Sequence, residues 1–221
     1  MTENIDGRIA LEWISEFEAR FARAQERLTD LDRLAGDGDF GVNIASALQR
    51  ASAALPAAVE ATHRSVFAAA SRGFMATGGT SGPLFGMWFR EISRAGVDEA
   101  SLSELAAGIA EGLATVRRLG GAKVGDNTMV DALEPAARAL SAAAATGCSV
   151  RDALVATAEA ARAGAESTAD LVAAKGRASY VGELSRGVLD PGAVTIALFF
   201  EAGADAVGAR IEWTPLGELV H

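Results

Sequence analysis

Ile9-Ala10-Leu11-Glu12-Trp13-Ile14-Ser15-Glu16-Phe17-Glu18-Ala19-Arg20-Phe21-Ala22-Arg23 is the stretch on which the fold turns. Ile9, Trp13, Phe17 and Phe21 fall four residues apart, with Glu12, Glu16, Glu18, Arg20 and Arg23 between or beside them. That spacing lays one apolar stripe along an amphipathic helix. The pattern recurs at Leu102, Leu105, Ile109, Leu113 and Val116, and at Val130, Leu133, Ala137 and Leu140. Val150, Leu154 and Ala158 open another stripe after Ser149. The spacing predicts about eight helices, near 6–29, 42–54, 57–76, 82–95, 101–119, 127–146, 149–173 and 191–206. Period-two alternation is absent, and only Ile211 to Leu219 reads as an extended stretch. A parallel sheet would need about four or more β-branched strands between these helices, and there are none. Small residues at Ala68–Ala70 and Ala142–Ala145 let neighbouring helices approach closely. The expectation is an all-α fold in a single domain, residues 1–221.

Composition agrees. Half of the 221 residues are hydrophobic and 22% are charged, so the chain can bury a core. Aromatics are only 6%, and much of the apolar content is alanine, which favours packed helices over sheet. Twenty basic against 29 acidic residues leave a net charge of -9, which argues against nucleic acid or an anionic membrane as the main partner. Cys148 is the only cysteine, which excludes an intramolecular disulfide and a Cys-built zinc site. With neither a basic-then-apolar leader nor a run of about 20 apolar residues, the expectation is a soluble, cytoplasmic protein. Of five prolines, Pro83 and Pro191 follow turns near helix starts, where a missing N–H costs little. Pro135 falls inside a helical stretch, so that helix starts later or kinks there.

Four glycine-bearing, polar junctions each precede a helix: Gly36 to Asn43, Gly78 to Gly86, Gly125 to Thr128, and Arg177 to Gly192. The first, Leu31-Asp32-Arg33-Leu34-Ala35-Gly36-Asp37-Gly38-Asp39-Phe40-Gly41-Val42-Asn43, holds three aspartates. Two carboxylates about 4 Å apart repel by about 4 kcal/mol at an effective dielectric near 20. Such a cluster calls for a cation, and all-oxygen ligation points to Mg²⁺ or Ca²⁺; the alternative is a solvated Asp/Gly turn. Gly36-x-Gly38-x-x-Gly41 matches a dinucleotide fingerprint only formally, because no strand precedes it. A calcium loop counted from Asp37 fails at its twelfth position, Leu48, where a glutamate is required. No P-loop motif is present.

The second junction, Ala76-Thr77-Gly78-Gly79-Thr80-Ser81-Gly82-Pro83-Leu84-Phe85-Gly86, reads as a helix N-terminus whose free N–H groups favour an anion, or as a plain Ser/Thr cap. In the third, Gly125-Asp126-Asn127-Thr128-Met129, Asp126 is the expected N-cap. The fourth sets Lys175 and Arg177 beside Gly176 and runs to Asp190-Pro191-Gly192, a phosphate clamp or an ordinary basic helix end. Together these features describe Mg²⁺–nucleotide binding, the metal bridging acidic protein to acidic ligand. Elsewhere, Trp13 and Trp88 read as core or interface, and Trp213 as a tail residue packed across the fold. His63 reads as a mid-helix surface or packing residue, and Glu183 as a functional carboxylate or a partner of Arg177 or Arg186. Cys148 reads as inert.

Taken with Gly182-Glu183 and Ala193, these four ordered motifs resemble the nucleotide-binding L subunit of dihydroxyacetone kinase over nearly the whole chain. The resemblance implies an eight-helix up-and-down barrel whose loops at one end bind ADP or ATP through two Mg²⁺ ions. It implies that Asp32, Asp37 and Asp39 hold the metals. Phe40, Gly41, Asn43, Thr80, Ser81 and the turn Asp190, Pro191 and Gly192 would contact nucleotide. Gly120 and Met129 would border it, Leu84 would add apolar contact near the base, and Arg177 would lie at the phosphates as the catalytic cation. The chain departs from the family pattern at Phe40, Asn127 and Val188, where histidine, lysine and histidine are usual. The resemblance further implies a kinase subunit active only with a separate K subunit. That partner would hold a ketose such as dihydroxyacetone or erythrulose. ATP would serve as exchangeable substrate, or bound ADP would be rephosphorylated by a phosphotransferase-system phosphocarrier. A nucleotide-binding module that signals to a transcription factor without turnover is the competing reading. A fatty-acid kinase is the weakest, its related domain sitting in a much longer chain.

Overall fold

The computed structural model describes residues 4–216, so His221 and the end of the Ile211–Leu219 stretch lie outside the described residues. Eight helices form in sequence: α1 (Gly7–Ala35), α2 (Phe40–Ala53), α3 (His63–Met75), α4 (Ser81–Arg94), α5 (Leu102–Gly120), α6 (Met129–Ala145), α7 (Val150–Ser167) and α8 (Pro191–Ala206). Short 3-10 turns occupy Ala58–Glu60, Thr168–Asp170, Arg177–Tyr180 and Gly182–Ser185. Among the described residues the only strands are β1 (Asn4–Ile5) and β2 (Ala100–Ser101), one antiparallel pair. The all-α expectation holds, with that two-residue ladder as its one exception.

Each helix packs on the next, and α8 packs on α1, so the ring closes. Short connections between packed neighbours make α1 to α7 antiparallel, and the longer connection after α7 brings the start of α8 back beside the end of α1. The odd-to-even connections therefore meet at one end of the ring and the even-to-odd connections at the other. The four glycine-bearing junctions are the four odd-to-even connections. Topology alone brings them together.

The two ends start their helices differently. At the end away from the junctions, the Asp6 carboxylate accepts from the Ile9 N–H at 2.8 Å. There Thr62 with Ser65 and Ser101 with Glu104 form capping boxes, and Ser149 caps through the Asp152 N–H. At the junction end, Thr128 and Asp190 cap α6 and α8. The N-cap residues of α2 and α4, Asp39 and Thr80, make no side-chain cap bond.

One core runs through the ring. Trp13 stacks on Phe199 with centroids 4.8 Å apart, and its Nε1 donates to the Phe199 carbonyl at 2.7 Å. Trp88 meets Phe199 edge-on at 4.8 Å. A Cβ on Gly203 would lie 2.5 Å from the Trp13 ring, so only glycine lets α8 come this close. Each fully buried side chain of this size contributes about 1.5–3 kcal/mol. Both tryptophans are core, as their spacing indicates. Trp213 packs against the core with the Arg162 guanidinium 5.4 Å above its ring. Arg162 also holds Glu201, which Arg20 contacts from α1 at 3.1 Å. Burial raises the Glu201 carboxyl above its ordinary pKa, and the two arginines oppose that rise.

Several boundaries move. α1 continues to Ala35, past the expected 29, because Asp32 bridges it to α2. The stretch 57–76 is not one helix: Pro56 disfavours helix at Leu55, and α3 starts only at His63. His63 is thus the first residue of its helix, not a mid-helix one. It is fully buried, its Nε2 2.9 Å from the Ile92 carbonyl oxygen, and burial lowers its pKa. α6 starts at Met129 rather than after Pro135, which lies inside it against Gly164 of α7. α7 ends at Ser167, not 173, where the chain turns into a long irregular connection.

Candidate functional site

A cleft of about 1160 Å³, its open mouth included, lies where the four junctions meet. Asp32, Asp37, Asp39, Phe40, Asn43, Thr80, Ser81, Leu84, Gly120, Met129, Arg177, Asp190, Pro191 and Gly192 all line it. Gly41 does not. It is buried where α2 crosses α1, and a Cβ there would sit 2.1 Å from Thr29 Oγ1. Its role in this chain is close helix approach.

Asp32, in the last turn of α1, accepts the Phe40 N–H at 3.0 Å and so takes over the capping that Asp39 leaves undone. Asp37 is ion-paired with Arg177, whose guanidinium is also 4.0 Å from Asp39. No three acidic, histidine or cysteine side chains converge tightly among the described residues. The three carboxylates share one wall, with an arginine as their counter-charge. Glu183 pairs with Arg186 at 3.1 Å, which leaves Arg177 to the aspartates.

The uncapped start of α4 faces the same cleft with the Thr80 and Ser81 side chains. Free N–H groups and the positive dipole end there suit an anion. At α8 the Asp190 carboxylate accepts the Ala193 N–H at 2.7 Å, and Pro191 needs no partner at the first helical position. Desolvation pushes the Asp190 carboxyl up to about 7, with Asp131 and Asp32 adding repulsion and the Ala193 and Gly192 N–H groups opposing it. Part of the lining is apolar: Leu84, Val116, Ala122, Met129 and Val130. Leu84 reaches Gly120, its Cδ1 3.5 Å from where a Cβ would be.

The third junction corrects an expectation. Thr128, not Asp126, is the N-cap of α6, paired with Asp131 in a capping box. Asp126 turns back to accept the Lys123 N–H at 3.0 Å, and its carbonyl accepts the Ala174 N–H at 3.0 Å. The loop thereby holds the segment that carries Lys175 and Arg177. Val116 and Ala122 joined the site without any sequence signal of their own, since apolar residues near a helix end read as core.

Residues 34–205 match the family described as the DAK2 domain. The chain is 38% identical over 195 residues to "PEP-dependent dihydroxyacetone kinase 1, ADP-binding subunit DhaL" of Listeria innocua, covering 87% of this chain and 93% of that one. It is 37% identical over 194 residues to "L-erythrulose 1-kinase" of Mycolicibacterium smegmatis, covering 86% of this chain and 34% of that protein. Among solved structures, the dihydroxyacetone kinase of C. freundii in complex with AMP-PNP and Mg²⁺ superposes with a TM-score of 0.67 at 28% identity. That match covers 93% of this chain and 35% of the enzyme, so the chain spans about a third of its length. With its ring of eight helices and its four motifs gathered at one end, the chain belongs to the DAK2-domain family.

Proposed function

We propose that this chain is the ADP- or ATP-binding subunit of a ketose kinase. In this reading it delivers a phosphoryl group to a ketone such as dihydroxyacetone or erythrulose held by a separate K-type subunit. The observation that carries the reading is the single cleft in which Asp32, Asp37 and Asp39 face Arg177 and the open start of α4. The chemistry of this wall fits Mg²⁺. Its donors are hard carboxylate oxygens, and the aspartates already draw a cation, the Arg177 guanidinium, between them. Asp32, Asp37 and Asp39 would hold two ions, which when bound neutralise charge on the phosphates.

The chain's own residues do the rest. Arg177 leaves Asp37 for the phosphates, where its fixed fork of donors stabilises developing charge. Thr80, Ser81 and the α4 N–H groups orient the phosphate tail, and Leu84, Gly120 and Met129 exclude water around the base. Phosphoryl transfer asks for positioning and charge rather than covalent chemistry from protein. Among the described residues no histidine lines the cleft, and in this reading the partner supplies the acceptor site. Exposed apolar side chains at the junction end of the ring, among them Leu34, Val42, Tyr180 and Leu184, support a docked subunit there.

No described helix is long and apolar enough to cross a membrane, which is compatible with a cytoplasmic kinase. The test is phosphotransfer with a K-type subunit against several ketoses, supplied either with ATP or with a phosphotransferase-system phosphocarrier. Turnover with one of the two donors supports the reading and decides between exchangeable ATP and resident ADP. Turnover by the purified chain alone overturns the division of labour. Nucleotide binding without turnover in every mixture would instead mark a regulatory module.

A further inference from the structure

The connection between α7 and α8 closes on itself before it reaches the cleft. Ala173 and Ser185 are both buried, and the Ala173 N–H donates to Ser185 Oγ at 2.8 Å. Below them the Gly187 N–H donates to the Ala169 carbonyl at 2.8 Å, which holds the two sides of the neck together. Residues 174–184 beyond that neck form an Ω-loop, compact and joined at its base. None of them is buried, and Tyr180 and Leu184 are 88% and 76% exposed. The loop's internal bonds are local, from the Ser179, Val181 and Leu184 N–H groups to carbonyls three residues back. Gly176 and Gly182 take positive φ, 66° and 54°, where an added Cβ would touch nothing. Glycine serves the backbone there, which turns most freely at these two points.

At the neck the Ala174 N–H donates to the Asp126 carbonyl. Past it, among the described residues, one side chain alone ties residues 175–183 to another element by a polar contact. Arg177 pairs with Asp37, and its guanidinium is 4.0 Å from Asp39. All three side chains line the cleft and are open to it, at 50%, 39% and 68% exposure. Asp37 and Asp39 are also the carboxylates that the proposed function gives to Mg²⁺, and two cations cannot share them without strong repulsion. We propose that residues 174–184 are a lid, latched by Arg177 while the cleft is empty. Arg177 gives up Asp37 when a divalent cation binds there, and the lid opens about its neck. The phosphates of the nucleotide then draw Arg177 back, and the lid closes on the ligand. This inference rests on the metal assignment of the proposed function and deepens it: the metal loosens what the nucleotide fastens.

The test is hydrogen–deuterium exchange of the amides in 174–184, read by mass spectrometry on the full chain. It is run without ligand, with Mn²⁺ alone, and with Mn²⁺ and ADP, bound metal being followed by electron paramagnetic resonance. An exposed ion pair is a weak latch, so Mn²⁺ alone should speed exchange about two- to fivefold. Adding ADP should slow it below the ligand-free rate. Arg177→Gln should exchange at the open rate without ligand, and Mn²⁺ should not quicken it further. Glu183→Gln breaks only the pair with Arg186 and should keep the wild-type pattern. Exchange that slows or stays level when Mn²⁺ binds the wild-type chain overturns the latch. So does an Arg177→Gln loop that is no faster than wild type without ligand, or a Glu183→Gln loop that opens equally. If no Mn²⁺ binds, the metal assignment falls and the release with it, while the ligand-free comparison of wild type and Arg177→Gln still judges the latch.

Discussion

The two ends of the ring are built from the same helices but finished differently. At one end every helix begins on its own side-chain cap: Asp6, Thr62, Ser101 and Ser149. At the other, α2 and α4 begin without one, and glycines at 38, 79, 121, 125, 176, 182 and 187 take positive φ. The first end spends its polar groups on stability. The second leaves the start of α4 without a side-chain cap and sets Asp37 and Asp39 against Arg177, an arrangement that a charged ligand can exploit. That contrast can be broken or sharpened by substitution at either end.

The largest effect is expected from Asp37→Asn with Asp39→Asn. Both side chains are substantially exposed, so the melting temperature should barely move. Mg²⁺-dependent ADP binding should fall by more than about 100-fold, since losing two charged ligands costs at least about 3 kcal/mol. Calorimetry checks the first and thermal denaturation the second; intact binding would refute the metal assignment. Next comes Arg177→Gln. Losing a charge-assisted contact should weaken ADP by about 10-fold or more. Removing the counter-charge from Asp37 should tighten binding of Mn²⁺ alone, read by electron paramagnetic resonance. If both affinities fall, Arg177 is not competing with metal.

A pair of cap variants separates the ends. Ser101→Ala removes a capping box and should cost about 1 kcal/mol of stability without touching ADP affinity. Thr80→Ala removes no cap bond, so stability should hold while ADP binding weakens by about fivefold, one neutral hydrogen bond. Equal behaviour of the two would erase the distinction. The smallest effect belongs to His63, buried among Phe67, Ile92 and the start of α3. Desolvation lowers its folded pKa below the ordinary 6.5, with Arg64 lowering it further and the Ile92 carbonyl and Glu104 opposing. The unfolded chain therefore takes up the proton first as pH falls. Stability should be unaffected above about pH 6.5 and decline below it. Denaturant midpoints between pH 5 and 8 should show that decline, and His63→Gln should flatten it.

Much of this was legible in the sequence. The four-residue spacing of Ile9, Trp13, Phe17 and Phe21 foretold α1, because burial of a stripe is what holds such a helix. The four junction motifs were legible because glycine and aspartate are conspicuous there. What periodicity could not show was which side chain caps which helix. Asp32 reaches across to Phe40 and lengthens α1, and Thr128 displaces Asp126 as the cap of α6. Nor could it show that Gly41 serves a helix crossing, that Asn127 turns left-handed, or that Arg177 folds back on Asp37. Apart from the local Thr128–Asp131 box, each depends on a residue outside its own turn.

Closure of the ring lets the chain be rewired. α1 begins and α8 ends on the capped side, packed against each other, and the exposed turn at 146–147 lies on that side too. A permuted chain, with α8 joined to α1 and new termini in that turn, would keep every helix beside its present neighbours. Order of synthesis and position around the ring are thus separable. The cleft is a property of the closed circle, not of where the chain opens it.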